Sequence, residues 1–322
     1  MNAGNPVSTG PYVLTFGETM ALMRADQVGP LAHASTMSLG IGGSESNVAI
    51  GLRRLGVHAV WCGRIGADSL GQLVEREIRA EGVDVRIAID PSAPTGLMIK
   101  EHRTPDTQRI SYYRAGSAGS RIAPADINDE LISRAGLLHV SGITPALSPQ
   151  AAETLRHTIG VAKAAGVPVS FDLNFRGNLW SAEGAGSIYR DIIPLADIVF
   201  AGDDEAAIAV GAGEPEELAR RIANLGPGQA VIKLGADGAL ALVDGQIFRQ
   251  AAVPVSVVDT VGAGDAFVAG YLAELVEGRS PAERLRTAAA TGAFACLVPG
   301  DWEGFPRRHE LALLEAKEPV SR

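Results

Sequence analysis

The segment Asp259-Thr-Val-Gly-Ala-Gly-Asp265 contains the residues whose types and spacing best suit a chemical reaction. Gly262 and Gly264 flank Ala263, and Asp265 begins an apolar stretch with helical spacing, so the pattern predicts a glycine turn at a helix N-terminus. Free N–H groups and the helix dipole at such a turn favour an anion such as a phosphate. Because Asp265 is itself negative, its expected role is to take a proton from a hydroxyl that attacks the phosphoryl group.

The same segment also fits a purely structural explanation. Gly-x-Gly often forms a tight turn, and aspartate is a common residue at the start of a helix. The β-branched run from Val253 to Val258 predicts a strand that leads into the turn. This segment alone does not choose between a phosphate site and an ordinary turn, so the rest of the chain has to decide.

The composition is that of a folded protein with a large core. Of 322 residues, 46% are hydrophobic and only 20% are charged. A net charge of −9 argues against a general binder of nucleic acid or anionic membranes, which needs a positive field. Cys62 and Cys296 lie in apolar surroundings and are expected to be buried thiols. Residues 1–11 lack the features of a secretory signal, and no apolar run reaches about 18 residues, so we expect a cytoplasmic protein.

Strand and helix patterns alternate from Leu137 onward, which predicts a mostly parallel sheet covered by helices on both faces. Ligands of such sheets bind at the carboxyl ends of the strands. Glycine-rich or polar segments follow the predicted strands there, at Gly17, Gly63, Ser141-Gly142, Asp172 to Asn174, Gly202, Gly235 and Gly262.

Two segments, at about 22–41 and 95–115, have strand patterns without a helical face, and a polar loop at 104–107 divides the second one. We expect them to pair in space as a small sheet that forms a lid. The predicted architecture is one α/β domain over residues 12–315 with a discontinuous β lid. Its exposed edges favour at least a homodimer.

Neither of the two familiar nucleotide-binding fingerprints occurs. A Walker A loop has Lys-Ser or Lys-Thr after its last glycine, and the chain contains no such loop. The Gly40-x-Gly42 segment has Glu45 where a dinucleotide fingerprint has glycine, which argues against a nicotinamide-dependent oxidoreductase.

Two distant motifs resemble those of the ribokinase-like, or PfkB, carbohydrate kinases. Segment 259–265 matches the second signature of that family at every fixed position. The resemblance extends from about Val13 to Glu315 and implies a ribokinase-like three-layer α/β core with a β lid, ATP and Mg²⁺ as cosubstrates, and phosphorylation of a sugar hydroxyl. The first motif reads Gly42-Gly43-x-x-x-Asn47-x-Ala49-x-x-Leu52-x-x-Leu55-Gly56, followed by Gly63-x-Ile65-Gly66-x-Asp68-x-x-Gly71.

The resemblance assigns roles to individual residues. Asp265 becomes the catalytic base, and the N–H groups around Gly262, Ala263 and Gly264 become the anion hole for the transferring phosphoryl group. The segment Lys233-Leu-Gly-Ala-Asp-Gly238 resembles the nucleotide-side loop, with Lys233, Gly235 and Gly238 close to ATP, although Gly-Ala-Asp-Gly is also an ordinary turn. Asp259 and Thr260 either bind a monovalent cation or close their turn.

The chain departs from the family at the metal site. Many members have an asparagine three residues before a glutamate that organises Mg²⁺ and its waters. Here Gly202 replaces that asparagine, and Glu205 remains as the candidate metal residue. Mg²⁺ keeps several waters and needs only one or two carboxylates, so a magnesium site is still expected.

The substrate is expected to be an acid. Ribokinases and fructokinases tend to have an aspartate five residues after the first-strand glycine, where this chain has Leu22, which disfavours a fully hydroxylated neutral sugar. Arg114 and Arg176 lie in polar segments, and a guanidinium binds a carboxylate through two hydrogen bonds. The structural alternative for each arginine is a surface ion pair.

These segments, with Gly300-Asp301-Trp302-Glu303-Gly304, resemble the 2-keto-3-deoxygluconate kinases within the family. Met98 departs from them, because they carry a tyrosine there. A kinase for a neutral sugar or nucleoside and a sugar-binding module without activity remain alternatives. The resemblance implies that the sugar-acid site is lined by Gly43, Asn47, Tyr112, Arg114, Asn174 and Arg176.

Overall fold

The computed structural model describes residues 11–104 and 107–315. Residues 1–10, for which no secretory signal was expected, and Pro105 and Asp106, within the predicted lid loop, lie outside the described residues. In the part that is described, no helix is long and apolar enough to cross a membrane.

The described residues contain thirteen strands and ten α-helices, in addition to short 3₁₀ segments. The strands are β1 (Val13–Phe16), β2 (Met20–Ala25), β3 (Met37–Gly42), β4 (Ala59–Gly66), β5 (Asp84–Asp90), β6 (Leu97–Thr104), β7 (Thr107–Tyr113), β8 (Leu137–Ser141), β9 (Val169–Asp172), β10 (Ile198–Gly202), β11 (Gln229–Lys233), β12 (Ala239–Val243) and β13 (Gln246–Gln250). The helices are α1 (Ser44–Arg54), α2 (Ser69–Ala80), α3 (Asp129–Ser133), α4 (Ile143–Leu147), α5 (Pro149–Ala164), α6 (Ala182–Ile192), α7 (Asp203–Val210), α8 (Pro215–Ala223), α9 (Ala263–Val276) and α10 (Pro281–Ala295).

Nine strands form the main sheet in the order β13-β12-β11-β10-β9-β8-β1-β4-β5. The pairs are parallel except those of β11 with β12 and of β12 with β13. Alternate residues such as Val13 and Leu14 of β1 belong to two different buried clusters, one on each face of the sheet. The structure therefore confirms the predicted α/β fold with a mostly parallel central sheet.

Local capping explains where several helices begin. The carboxylate of Asp68 accepts a hydrogen bond from the N–H of Gly71 at 2.7 Å and so caps α2. Ser148 accepts one from the N–H of Ala151 at the start of α5. Such caps satisfy N–H groups that have no partner inside the helix, and each stabilises it by roughly 1 kcal/mol.

The second sheet has the order β3-β2-β6-β7. Its strands β2 and β6 pair in parallel, which brings the two predicted lid segments into one sheet. Met20, Leu22 and Met98 form a small buried cluster in it, with Ile110 packed against them. We call this four-stranded sheet the lid.

One predicted strand is wrong. Residues 251–262 contain no strand, although Val253 to Val258 has the composition of one. The N–H of Val258 donates to the carbonyl of Cys296 at 2.8 Å, and the side chain of Val258 is exposed. The preference of valine for strands depends on packing against neighbouring strands, and residues 253–258 pair with no strand of the two described sheets.

Candidate active site

The turn before α9 is built around Gly262. Its φ is 78°, in the left-handed region, and a Cβ at this position would overlap the carbonyl oxygen of Asp301. Only glycine satisfies both conditions. The N–H of Ala263 donates to the carbonyl of Thr260 at 3.3 Å, whereas those of Gly264 and Asp265 donate to nothing in the described part of the chain. Free N–H groups at the start of a 14-residue helix suit an anion.

The carboxylate of Asp265 is held by neutral donors from α1. Ser44 Oγ donates to Asp265 Oδ1 at 2.7 Å, and Asn47 Nδ2 donates to Oδ2 at 2.8 Å. Asn174 Nδ2 in turn donates to Ser44 Oγ at 2.7 Å. Asn174 therefore acts through Ser44 in this structure and does not itself line the cleft.

The environment of Asp265 makes it more basic. Burial raises its pKa above the ordinary value, while the hydrogen bonds from Asn47 and Ser44 and the charges of Arg176 and Lys233 oppose that rise. A carboxylate whose pKa is raised accepts a proton more readily than a free aspartate. This property suits a general base.

An open cleft lies between the lid and this turn. Of the residues that were expected in the substrate site or the catalytic turn, all but Asn174, Ala263 and Gly264 line it. Lid and core both contribute to its wall, which comprises Glu18, Met20, Gly42, Gly43, Ser44, Asn47, Met98, Ile110, Tyr112, Arg114, Ile143, Arg176, Val261, Gly262, Asp265 and Asp301.

The two arginines of the cleft differ in their partners. Arg114 Nε donates to Oε2 of the buried Glu18 at 2.7 Å, and its guanidinium lies 5.9 Å from the centre of the Tyr112 ring. Ser117 also donates to the Glu18 carboxylate. Among the described residues, the side chain of Arg176 makes no ion pair or hydrogen bond, so its charge is available to a ligand.

Leu22, the apolar residue at the position where ribokinases tend to have an aspartate, does not itself contact the cleft. Leu22 is fully buried between its strand partners Gly40 and Met98, and it does not line the cleft. Met20, two residues earlier on the same face of β2, reaches the cleft instead. The count of residues from Gly17 identified the correct strand but not the position that faces the ligand.

Three polar side chains of the cleft had no predicted role. Ser44 and Glu18 hold Asp265 and Arg114, respectively, and Asp301 faces Gly262. Burial raises the pKa of Asp301 to about 7. A polar residue directly after Gly43, and a charge directly after the glycine of the first strand, were signals that could have identified the first two.

The proposed nucleotide-side residues lie at the end of β11 and in the turn that follows it. Lys233 Nζ donates to both carboxylate oxygens of Asp172, at 2.8 and 2.9 Å. Gly235 and Gly238 have φ values of 56° and 97°, and a Cβ at Gly238 would overlap the carbonyl oxygen of Gln250. The turn therefore requires Gly238 whether or not it approaches ATP.

Glu205 lies in the first turn of α7. Its Oε1 accepts from the N–H of Phe175 at 2.8 Å, and its Oε2 accepts from the N–H of Gly202 at 2.7 Å. No group of three or more metal-ligating side chains occurs in residues 11–104 and 107–315. Each oxygen of Glu205 keeps a second lone pair, so its carboxylate fits a hydrated Mg²⁺ through a water molecule.

Thr260 contributes its backbone to the turn, since its carbonyl accepts the hydrogen bond from Ala263. The side chain of Thr260 is exposed, and Asp259 beside it is buried. The carboxylate of Asp259 accepts a hydrogen bond from Lys100 of the lid.

Comparison with known proteins identifies the family to which the chain belongs. The model of the pfkB family of carbohydrate kinases matches residues 11–308. The chain is 37% identical to a 2-dehydro-3-deoxygluconokinase of Bacillus subtilis (strain 168), over 95% of this chain and 96% of that protein. It is 35% identical to the enzyme of the same name from Thermoproteus tenax, over 92% of each. A crystal structure of a PfkB protein from Polaromonas sp. JS666 superimposes with a TM-score of 0.85 at 37% identity, covering 94% of this chain and 99% of that one. The chain belongs to the pfkB family of carbohydrate kinases and is an ATP-dependent sugar kinase.

Proposed function

We propose that this kinase transfers the γ-phosphoryl group of ATP to the terminal hydroxyl of 2-keto-3-deoxygluconate or a close aldonic-acid relative. The observation that carries the proposal is that Arg176, whose guanidinium has no partner in the described residues, lines the same cleft as Asp265. A guanidinium binds a carboxylate through two hydrogen bonds, so it would hold the acid end of the substrate. The names of the two relatives with 37% and 35% identity support the same substrate.

In this proposal the core supplies the chemistry. Asp265 takes the proton from the attacking hydroxyl, and the free N–H groups at the start of α9, with the turn at Gly262, Ala263 and Gly264, hold the transferring phosphoryl group. Bound Mg²⁺ would neutralise charge on the phosphates, and Glu205 would hold it through water. ATP would lie beside the turn that contains Lys233, Gly235 and Gly238, with Thr260 at the edge of the phosphate site.

The lid and the glycine motif would determine which sugar binds. Gly43, Asn47, Tyr112, Arg114 and Arg176 would surround the sugar acid, with Asn174 holding Ser44 behind them. Closure of the lid over the sugar would exclude water and so limit hydrolysis of ATP.

Further properties belong to the same proposal. The chain forms one domain over residues 12–315 with a discontinuous lid, and it acts in the cytoplasm. Among the residues that the structure describes, no strand pairs with the outer edges of the lid strands β3 and β7, and Leu39 and Tyr113 on them are exposed. Edges of this kind favour pairing with a second copy, so we propose at least a homodimer, which sedimentation analysis of the purified protein tests.

One observation favours a second candidate, a kinase for a neutral sugar or a nucleoside. Met98 lines the cleft where kinases for the sugar acid carry a tyrosine, and Glu18 already pairs with the charge of Arg114. A cleft with one free arginine and an apolar lid wall could also hold a ligand without a carboxylate.

Release of ADP from ATP over a panel of acceptors tests the two candidates. The panel contains 2-keto-3-deoxygluconate, gluconate, fructose, ribose and adenosine, each at several concentrations. We expect the highest kcat/KM with 2-keto-3-deoxygluconate. A higher value with fructose, ribose or adenosine would reject the proposed substrate, and absence of turnover with every acceptor would favour a sugar-binding module.

A further inference from the structure

Lys100 of the lid and Asp259 of the core form an ion pair that is completely buried, with both side chains 0% exposed. Lys100 lies on β6 two residues after Met98, on the face of the lid that is turned to the core. The ammonium group of Lys100 lies at the turn that precedes α9. Burial of a lysine side chain is costly unless its charge is compensated, and Asp259 compensates it.

Asp259 links the turn before α9, at Val261 and Gly262, to the loop that contains Gly300 and Asp301. Its Oδ1 accepts from the N–H of Val261 at 3.0 Å, and its Oδ2 accepts from Lys100 and from the N–H of Gly300 at 3.1 Å. Val261 precedes Gly262, and Gly300 precedes Asp301, whose carbonyl oxygen lies against Gly262. The carboxylate of Asp259 thus fixes the position of Gly262 from both sides.

A negative charge at this place needs a positive partner. Asp259 is buried a few residues from the N–H groups that are to hold a phosphate and from the carboxylate of Asp265, so without compensation it would repel the substrate anion. A loop carboxylate of this kind could recruit a monovalent cation from solution. In this chain the ammonium group of Lys100 already makes that contact.

We propose that Lys100 Nζ takes the place of a bound monovalent cation and positions the catalytic turn, so that the kinase works without K⁺. Because Lys100 belongs to the lid, the charge reaches the turn only when the lid is docked against the core. Lys100 is a positioning residue, since it acts through Asp259 and Gly262. The proposal rests on the kinase activity of the family and not on the identity of the sugar.

A merely structural ion pair, which fastens the lid without replacing a cation, is distinguished by rescue with small cations. The experiment compares the wild type, Lys100→Met, the double variant Lys100→Met/Asp259→Asn, and the control Lys163→Met. Lys163 pairs with Asp197 at 3.6 Å, both side chains are partly exposed, and neither residue lines the cleft. Each protein is measured with KCl, NH₄Cl, methylammonium chloride or tetramethylammonium chloride at equal ionic strength, by kcat and by melting temperature.

We expect the wild type and Lys163→Met to show the same kcat in all four salts. Lys100→Met should lose about 10²-fold in kcat in tetramethylammonium chloride, a loss of the size seen when one preorganised group of an anion hole is removed. K⁺, NH₄⁺ or methylammonium should raise the kcat of Lys100→Met at least about tenfold above its value in tetramethylammonium chloride. The same cations should raise its melting temperature, because a ligand that binds the folded state stabilises that state. The double variant should respond to none of them.

An increase in the kcat of the wild type with K⁺ would overturn the proposal. It would also be overturned if Lys100→Met is folded and neither its kcat nor its melting temperature changes with any of the small cations. If Lys100→Met folds only with K⁺, the proposal is supported. If it is unfolded in every salt, Lys100→Gln, which keeps a hydrogen bond to Asp259 without the charge, is measured instead, and its failure to respond overturns the proposal. If no sugar is phosphorylated, the proposed substrate has failed separately, and the melting temperatures still decide this point.

Discussion

The side chain of Asp265 and the lid are held in place by different kinds of interaction. Around Asp265, neutral donors from Ser44 and Asn47 make hydrogen bonds of 2.7 and 2.8 Å, and all of these residues belong to the core. The lid reaches the core through charged pairs, Arg114 with Glu18 and Lys100 with Asp259. Neutral hydrogen bonds keep the base at one place without neutralising it, whereas ion pairs join two separate parts of the chain.

This difference separates chemistry from selection. Proton transfer requires a base that is held at a fixed position, and the hydrogen bonds from Ser44 and Asn47 hold Asp265 in this way. In the proposed site, side chains that would face the sugar, such as Tyr112 and Met98, lie on strands of the lid, so we expect that they can change without disturbing the base. Variants of the core should therefore reduce turnover on every substrate, and variants of the cleft wall should change the preference among substrates.

The largest effect is expected for Asp265→Asn. The amide keeps the shape of the side chain but cannot accept the proton, so kcat should fall by about 10²-fold or more while sugar binding is retained. Steady-state kinetics and calorimetric titration with the sugar measure the two quantities. Asp191→Asn, at an exposed position of α6, serves as the matched control. Turnover near that of the wild type would exclude Asp265 as the base.

The next largest loss of kcat is expected for Gly262→Ala. The added methyl group meets the carbonyl oxygen of Asp301 and the residue must keep a φ of 78°, so the turn has to move. We expect a loss of about 10-fold to 10²-fold in kcat, because a shift of about 1 Å in catalytic groups has effects of that size. Gly245→Ala is the control, since Gly245 also has positive φ, at 83°, but has open space around it. Equal kinetics of the two variants would show that the position of the turn is unimportant.

Arg176→Ala tests the part of the cleft that is proposed to select the substrate. Loss of a charge-assisted pair with the carboxylate should lower kcat/KM for 2-keto-3-deoxygluconate by about 10-fold to 10²-fold and change that for a neutral sugar much less. Arg114→Ala should lower the melting temperature as well, because it leaves the buried Glu18 without its partner. The measurement is kcat/KM on both substrates for each variant. Equal losses on acid and neutral sugar would mean that the arginines are structural.

The smallest effect concerns pH. Because burial raises the pKa of Asp265 and the base must be ionised, kcat/KM should rise with pH through a range above that of an ordinary aspartate. Asn47 donates to the ionised form, so Asn47→Ala should raise that pKa further and move the acid limb to higher pH. A pH profile of kcat/KM for both proteins checks the direction. An acid limb that does not move, or moves to lower pH, would contradict the assignment of Asp265 as the titrating base.

Much of the fold and of the site was predictable from local patterns. The alternation of strands and helices indicated the parallel sheet, and the glycine motifs indicated which strand ends meet. Errors arose where local pattern and environment disagree. Val253 to Val258 has the composition of a strand but pairs with no strand of the two described sheets, and Leu22 lies on the expected strand but does not line the cleft.

The sequence by itself determined the glycine turn before α9, because Gly262, Gly264 and Asp265 are neighbours whose conformations follow from residue type and spacing. Only the tertiary structure decided which charges are free and which are paired. Arg114 and Arg176 look alike in the sequence, yet Glu18, 96 residues before Arg114, holds only the first. Lys100 and Asp259 are 159 residues apart and meet only when the lid docks on the core. Long-range pairing of charges depends on the packing of whole sheets, which no local pattern of residues encodes.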